Sequence, residues 1–87
     1  MIKKKVTVTN KLGLHLRPCT QIVRTAQKYT SSLNIQFNQL NVNAKSMLDL
    51  MQLAAEKGSE LELIADGVDA RQLIKDIAKL FQDNFGE

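Results

Sequence analysis

With 87 residues, the chain is long enough to fold around one hydrophobic core and too short for two, so residues 1–87 are expected to form one domain. Twelve cations against nine carboxylates leave a charge of +3, which suits an acidic partner or an anionic ligand but is too weak to argue for nucleic acid. Cys19 is the only cysteine, which excludes an internal disulfide and cysteine-type metal spacing. No apolar run is long enough for a signal peptide or a membrane span, so a cytoplasmic protein without membrane insertion is expected.

Lys5 to Thr9 alternates, with Val6 and Val8 on one face, and reads as a half-buried strand. Lys3, Lys4 and Lys5 read as a solvated edge that discourages aggregation. Asn10 to Gly13 is a loop. From about Leu16 the period changes: Cys19, Ile22, Val23 and Ala26 make the buried stripe of a helix ending near Tyr29. Leu33, Ile35 and Phe37 alternate with polar residues in a second strand. A turn at Asn38-Gln39 leads to a third strand at Leu40 and Val42, because Asn tolerates positive φ.

Ser46 opens "SMLD", a possible capping box before a short apolar helix that runs to about Ala55, closed by Lys57-Gly58. Glu60 to Ala65 alternates as a fourth strand. Asp66-Gly67 is a turn, and Asp69 can cap a last helix with Ala70, Leu73, Ile74, Ile77, Ala78, Phe81 and Phe85 on its stripe. The order is β-α-β-β-α-β-α. Every strand has one polar face, so the fold class is α+β, an antiparallel four-stranded sheet with helices on one side only.

His15, the only histidine, stands where a loop gives way to a helix, with the only proline, Pro18, in the helix's first turn. The first N–H groups of a helix lack internal partners and favour negative charge. Arg17 adds a planar cation suited to phosphate oxygens. A neutral imidazole is a competent nucleophile, so an anionic group attached to His15 would be well held. The rivals are weaker. Cys19 lies four residues on, as a thiol nucleophile or second metal ligand would, but it falls on the buried stripe, and two ligands do not make a zinc site. No acidic residue lies near His15 in sequence, and no phosphate-binding G-x-x-x-x-G-K-[ST] loop exists. Neither a metal nor a cofactor is expected.

"GLHLRP", Gly13 to Pro18, resembles the phosphohistidine motif of the HPr phosphocarrier family of the bacterial phosphoenolpyruvate-dependent phosphotransferase system. "VNAKSMLDLMQLAAEKGSELEL" is similar to that family's second signature, centred on Ser46, and the likeness covers nearly the whole chain. "VTNKLG" and "LFQDNF" are also similar to the family's nitrogen-related branch. The resemblance implies an open-faced β-sandwich with three helices on one face. It implies that His15 accepts a phosphoryl group on Nδ1 from phosphorylated enzyme I and passes it to the IIA components of sugar permeases, with Arg17 neutralising the phosphate. The result is a stoichiometric carrier rather than a turnover enzyme. Ser46 matches a position that a serine kinase modifies in some bacteria. Three departures stand out: Cys19 and Thr20 replace small alanines, Asp49 replaces a glycine, and Ala54-Ala55 replaces a glycine-containing stretch. Asp49, one turn from Ser46, would repel a phosphoserine, which puts serine regulation in doubt. Ala54-Ala55 should stiffen the end of the short helix.

On a helical wheel of about 100° per residue the short helix is apolar over about 220°, more than the stripe of about 100° that a sheet covers. Leu50 and Leu53 can serve the core, which leaves Met47, Leu48 and Met51 as an exposed patch. Arg24 and Lys45, with Arg17, would ring it and steer acidic partners. The resemblance points the same way, since that family docks its partners through this helix. A monomer is expected. The βαββαβ order with basic charge also fits a small RNA-binding module. That reading needs stacking aromatics on the open sheet face, and Asn34, Gln36, Glu60 and Glu62 stand there instead. A partner-binding regulator without phosphoryl chemistry is a further rival, and the intact His15 argues against it.

Overall fold

Period-two patterning builds the sheet. The computed structural model describes residues 1–87 and holds strands β1 (Ile2–Thr7), β2 (Ser32–Phe37), β3 (Leu40–Asn43) and β4 (Glu60–Asp66). All pairings are antiparallel and the strand order is β1-β4-β2-β3. Val6 pairs with Leu61, and Ile35 lies between Leu63 and Val42, so the apolar member of each alternation reaches the same face. Phe37 opposite Leu40 leaves Asn38-Gln39 as a two-residue turn, with Asn38 at φ +55°.

Helices α1 (Leu16–Ala26), α2 (Met47–Met51) and α3 (Ala70–Gln82) cover that face, and a 3₁₀ turn, Asn84–Gly86, follows α3. Ile22, Leu33, Ile35, Leu50, Leu63 and Leu73 are wholly buried between the layers. The other face is bare and polar: Asn34 Nδ2 donates to Asn41 Oδ1 across β2 and β3 at 2.7 Å, and Lys5 faces Glu60 at 4.0 Å. This is the expected open-faced sandwich.

Several details differ from the sequence reading, among them the end of α1, at Ala26 rather than near Tyr29. β1 begins at Ile2, so all three lysines lie inside the strand, at the open edge of the sheet. α2 stops at Met51 rather than Ala55, because the chain must turn there: Ala54 takes φ +48° and the Ala55 carbonyl accepts the Leu14 N–H at 2.9 Å. Asp69 stands at the start of α3 but does not cap it with its side chain. Its carboxylate instead accepts the N–H groups of Thr30 (3.0 Å) and Ser31 (2.9 Å) and the Ser31 hydroxyl, tying the entry of β2 to the entry of α3. Phe85 is buried as expected, but from the 3₁₀ turn and not from an extended α3, and its ring meets Phe81 edge-on at 4.9 Å.

Candidate functional site

The loop before α1 is braced from three sides. Asn10 is buried, and its Nδ2 donates to the Gly13 carbonyl at 2.7 Å and to Glu87 Oε1 at 3.1 Å. Gly13 lies at φ +71°, and a Cβ there would stand 2.5 Å from the Ala55 carbonyl oxygen. Only glycine lets the loop approach the α2 exit so closely.

His15 caps α1 through its backbone, extended at φ −82° and ψ −169°, and its carbonyl accepts the Cys19 N–H at 3.2 Å. The imidazole stays partly open to solvent, at 33%. Its Nε2 lies 2.7 Å from Glu87 Oε2. An ionised carboxylate only accepts, so Nε2 donates, and in the neutral ring Nδ1 carries the free lone pair. Partial burial by itself would raise the Glu87 carboxyl. Hydrogen bonds from Asn10 and His15, with the charge of the ring whenever it is protonated and that of Arg17, outweigh it and hold the group below its ordinary value.

Glu87 touches the His15 ring and Asn10 braces its loop, two contacts that the sequence reading missed. Glu87 arrives because the 3₁₀ turn folds back: Thr9 Oγ1 hydrogen-bonds Asn84 Oδ1, and Gln21 Nε2 donates to the Phe85 carbonyl at 2.9 Å. Arg17, the second residue of α1, is exposed and has no ion-pair partner within 4.0 Å, and the Leu16 and Arg17 N–H groups have no backbone acceptor. Cation, free N–H groups and Nδ1 therefore share one open end of the helix. Cys19 is closed off from that surface. It is fully buried, its Sγ lies 3.6 Å from the Leu14 carbonyl, and burial pushes its thiol up to about 11.

The predicted patch forms in part. Leu48 (80%) and Met51 (45%) are exposed, while Leu50 and Leu53 are buried. Met47 is a correction: it is only half exposed and packs against the core, with Sδ 4.0 Å from Thr20 Oγ1. Thr20 Oγ1 also donates to the Leu16 carbonyl at 2.9 Å, so the first turns of α1 and α2 share a surface. Leu12 and Leu16, at 70% and 60% exposure, flank His15 in the chain and extend the apolar ground beside it. Leu16 stands one i, i+3 step before the buried stripe that begins at Cys19, and nothing covers the first turn there.

Arg24 is exposed. Lys45 is fixed rather than free, its Nζ donating to the Tyr29 carbonyl at 2.8 Å. Ser46 caps α2, its Oγ accepting the Asp49 N–H at 3.3 Å.

The largest clefts lie elsewhere, and none includes His15, Arg17 or α2. A nucleophile on an open surface fits transfer between protein surfaces better than enclosure of a small substrate.

Comparison with known proteins follows the same line. A family model described as "PTS HPr component phosphorylation site" matches residues 2–83. The phosphocarrier protein HPr of Treponema pallidum is 40% identical over 87 residues, 100% of this chain and 99% of the relative. The HPr crystal structure from Thermoanaerobacter tengcongensis is similar at a TM-score of 0.96 and 36% identity, covering 100% of this chain and 98% of that one. Crh of Bacillus subtilis, described as a swapped dimer, is similar at a TM-score of 0.77 and 37% identity, with 97% of each chain covered. By sequence and by architecture alike, this chain belongs to the HPr family of phosphotransferase-system phosphocarrier proteins.

Proposed function

We propose that His15 is the phosphoryl acceptor of this phosphocarrier, taking the group from phosphorylated enzyme I and passing it to IIA components of sugar permeases. The observation that carries the reading is the clamped, partly open imidazole at the open end of α1, with Nε2 on Glu87 at 2.7 Å. The Nδ1 lone pair attacks phosphorus, an N–P bond forms as the donor's bond to phosphorus breaks, and the ring proton stays on Nε2 beside Glu87. The phosphoryl oxygens then meet the Leu16 and Arg17 N–H groups and the Arg17 guanidinium. Stabilisation of this kind acts on charge in the transferring group, where phosphoryl transfer is most sensitive. Transfer to a IIA protein runs the same steps in reverse.

Leu48 and Met51, with the half-covered Met47, are proposed to dock both partners, and Arg17 and Arg24 to steer them. Lys45 contributes charge while holding the end of α1. Ser46 is proposed as a poor target for a serine kinase, because its hydroxyl is engaged in the cap and Asp49 is adjacent. The 87 residues are proposed to work as one domain, as a monomer and in the cytoplasm. No helix is long and apolar enough to cross a membrane. Sedimentation separates a monomer from a swapped dimer like that described for Crh.

The deciding experiment is incubation of the chain with enzyme I and labelled phosphoenolpyruvate. One acid-labile phosphoryl group is expected on the unaltered chain and none on a folded His15→Ala variant. Labelling of His15→Ala would assign the acceptor elsewhere.

A further inference from the structure

A second surface, which includes neither His15 nor α1, is built along the open edge of the sheet. β1 has β4 on one side and no strand on the other. Each edge strand presents unpaired N–H and C=O groups along its free side, a template for another strand. Beside this edge runs a cleft of about 850 Å³ between β1 and α3, floored by Ile2, Ile74 and Ala78. It shares Lys4, Ala78 and Gln82 with a second cleft of about 410 Å³ that reaches Thr7 and Thr9. Together they form one seam along β1, the shape of an extended chain rather than of a compact ligand.

Charge identifies the occupant. Lys4, Arg71, Lys75 and Lys79 line the seam, all exposed and none within 4.0 Å of a carboxylate. Arg71, Lys75 and Lys79 repeat every four residues and so share one face of α3. Two carboxylates share the wall, Asp76 and Asp83, and Asp76 is engaged by the Tyr29 hydroxyl and by Gln72 Nε2 at 2.9 Å. Lys3 stands on the other face of β1, beside Lys5 with its Glu60 partner, so a strand added to this edge also meets a cation, Lys3, on its second side. A second copy pairing antiparallel through the same edge would set the lysine run against itself, which like-charge pairing across strands disfavours.

We infer that the seam between β1 and α3 is a docking site for an acidic, extended segment of a partner protein, added to β1 as a fifth strand. Backbone pairing supplies the hold, and the cations select for acidic side chains. The seam contains no residue of α1 or α2, so a partner seated there leaves the His15 surface free.

The test uses the full chain and a seven-residue peptide alternating valine with glutamate. Saturable binding is expected, with amide shifts confined to β1 and α3, weakening as salt is raised. The double variant Arg71→Glu, Lys75→Glu and the single variant Lys4→Glu should each keep the fold and still accept phosphoryl groups from enzyme I. The double variant should lose roughly tenfold or more in affinity. A peptide N-methylated at every residue keeps the charge but loses strand pairing at both edges, and should not bind. Absence of binding overturns the inference, as does equal binding of the N-methylated peptide. Shifts centred on α2, self-association through β1, or binding to phosphatidylglycerol vesicles without peptide binding would overturn it too.

Discussion

Gly13 and Arg17 flank His15 and carry different burdens. Gly13 faces backbone, and neither its φ of +71° nor the Ala55 carbonyl at 2.5 Å from a Cβ can be relieved by moving a side chain. Gly13→Ala is expected to cost about 1–3 kcal/mol in urea unfolding and to slow phosphoryl acceptance, because the loop that sets the imidazole must shift. Arg17 is exposed and unpaired, so Arg17→Ala should change unfolding free energy by less than about 0.5 kcal/mol. Its transfer rate from enzyme I should fall clearly, and an unchanged rate would remove Arg17 from the mechanism. His15 and Arg17 were legible in the sequence because helix entrance, proline and cation are neighbours in the chain. Glu87 was not: it lies 72 residues from His15, and no local periodicity predicts a turn with Asn84 at φ +53° and Phe85 at φ +56°.

The strands and the stripes of α1 and α3 were readable because period two and period 3.6 record burial directly. The exit of α2 was not readable, since an alanine pair looks helical and only the distant demand of Leu14 for the Ala55 carbonyl unwinds it. Ala54 therefore stiffens no helix end. It sits past the helix at φ +48°, a conformation that costs a residue with a Cβ about 1–2 kcal/mol and glycine little. Ala54→Gly is accordingly expected to raise stability by up to about 1 kcal/mol, seen as a higher melting temperature. A lower one would show that the chain gains more from the stiffness of alanine than it loses to strain. On the exposed side of α2, Leu48→Asp and Met51→Asp should weaken binding to enzyme I about tenfold or more with little change in melting temperature. Met47→Asp should instead destabilise the fold, because that side chain packs against the core. Binding left intact by both Leu48→Asp and Met51→Asp would move the docking surface away from α2.

For the whole molecule, Asp69 is a clasp between the start of β2 and the start of α3. Hydrogen bonds from the Ser31 hydroxyl and the Thr30 N–H, only partly opposed by burial, push its carboxyl down from 3.8 to about 2. The fold thus favours the ionised form. The clasp contributes in full above about pH 4 and is lost as pH falls toward 2. Asp69→Asn should be less stable than the unaltered chain at neutral pH, and acid titrations of the two should converge between about pH 4 and 2. A constant gap across that range would place the effect of Asp69 in packing. This clasp, like the contact of Glu87, joins segments far apart in sequence and leaves no trace in local patterning. The uncovered face of the sheet has a use at the bench. Gln36 is exposed there, on the side opposite all three helices, and Cys19 is both buried and held as an unreactive thiol. Gln36→Cys therefore gives a single coupling handle without removing the native cysteine. A sensor chip loaded through it would carry every molecule in one orientation, with His15 and α2 turned toward the flowing partner.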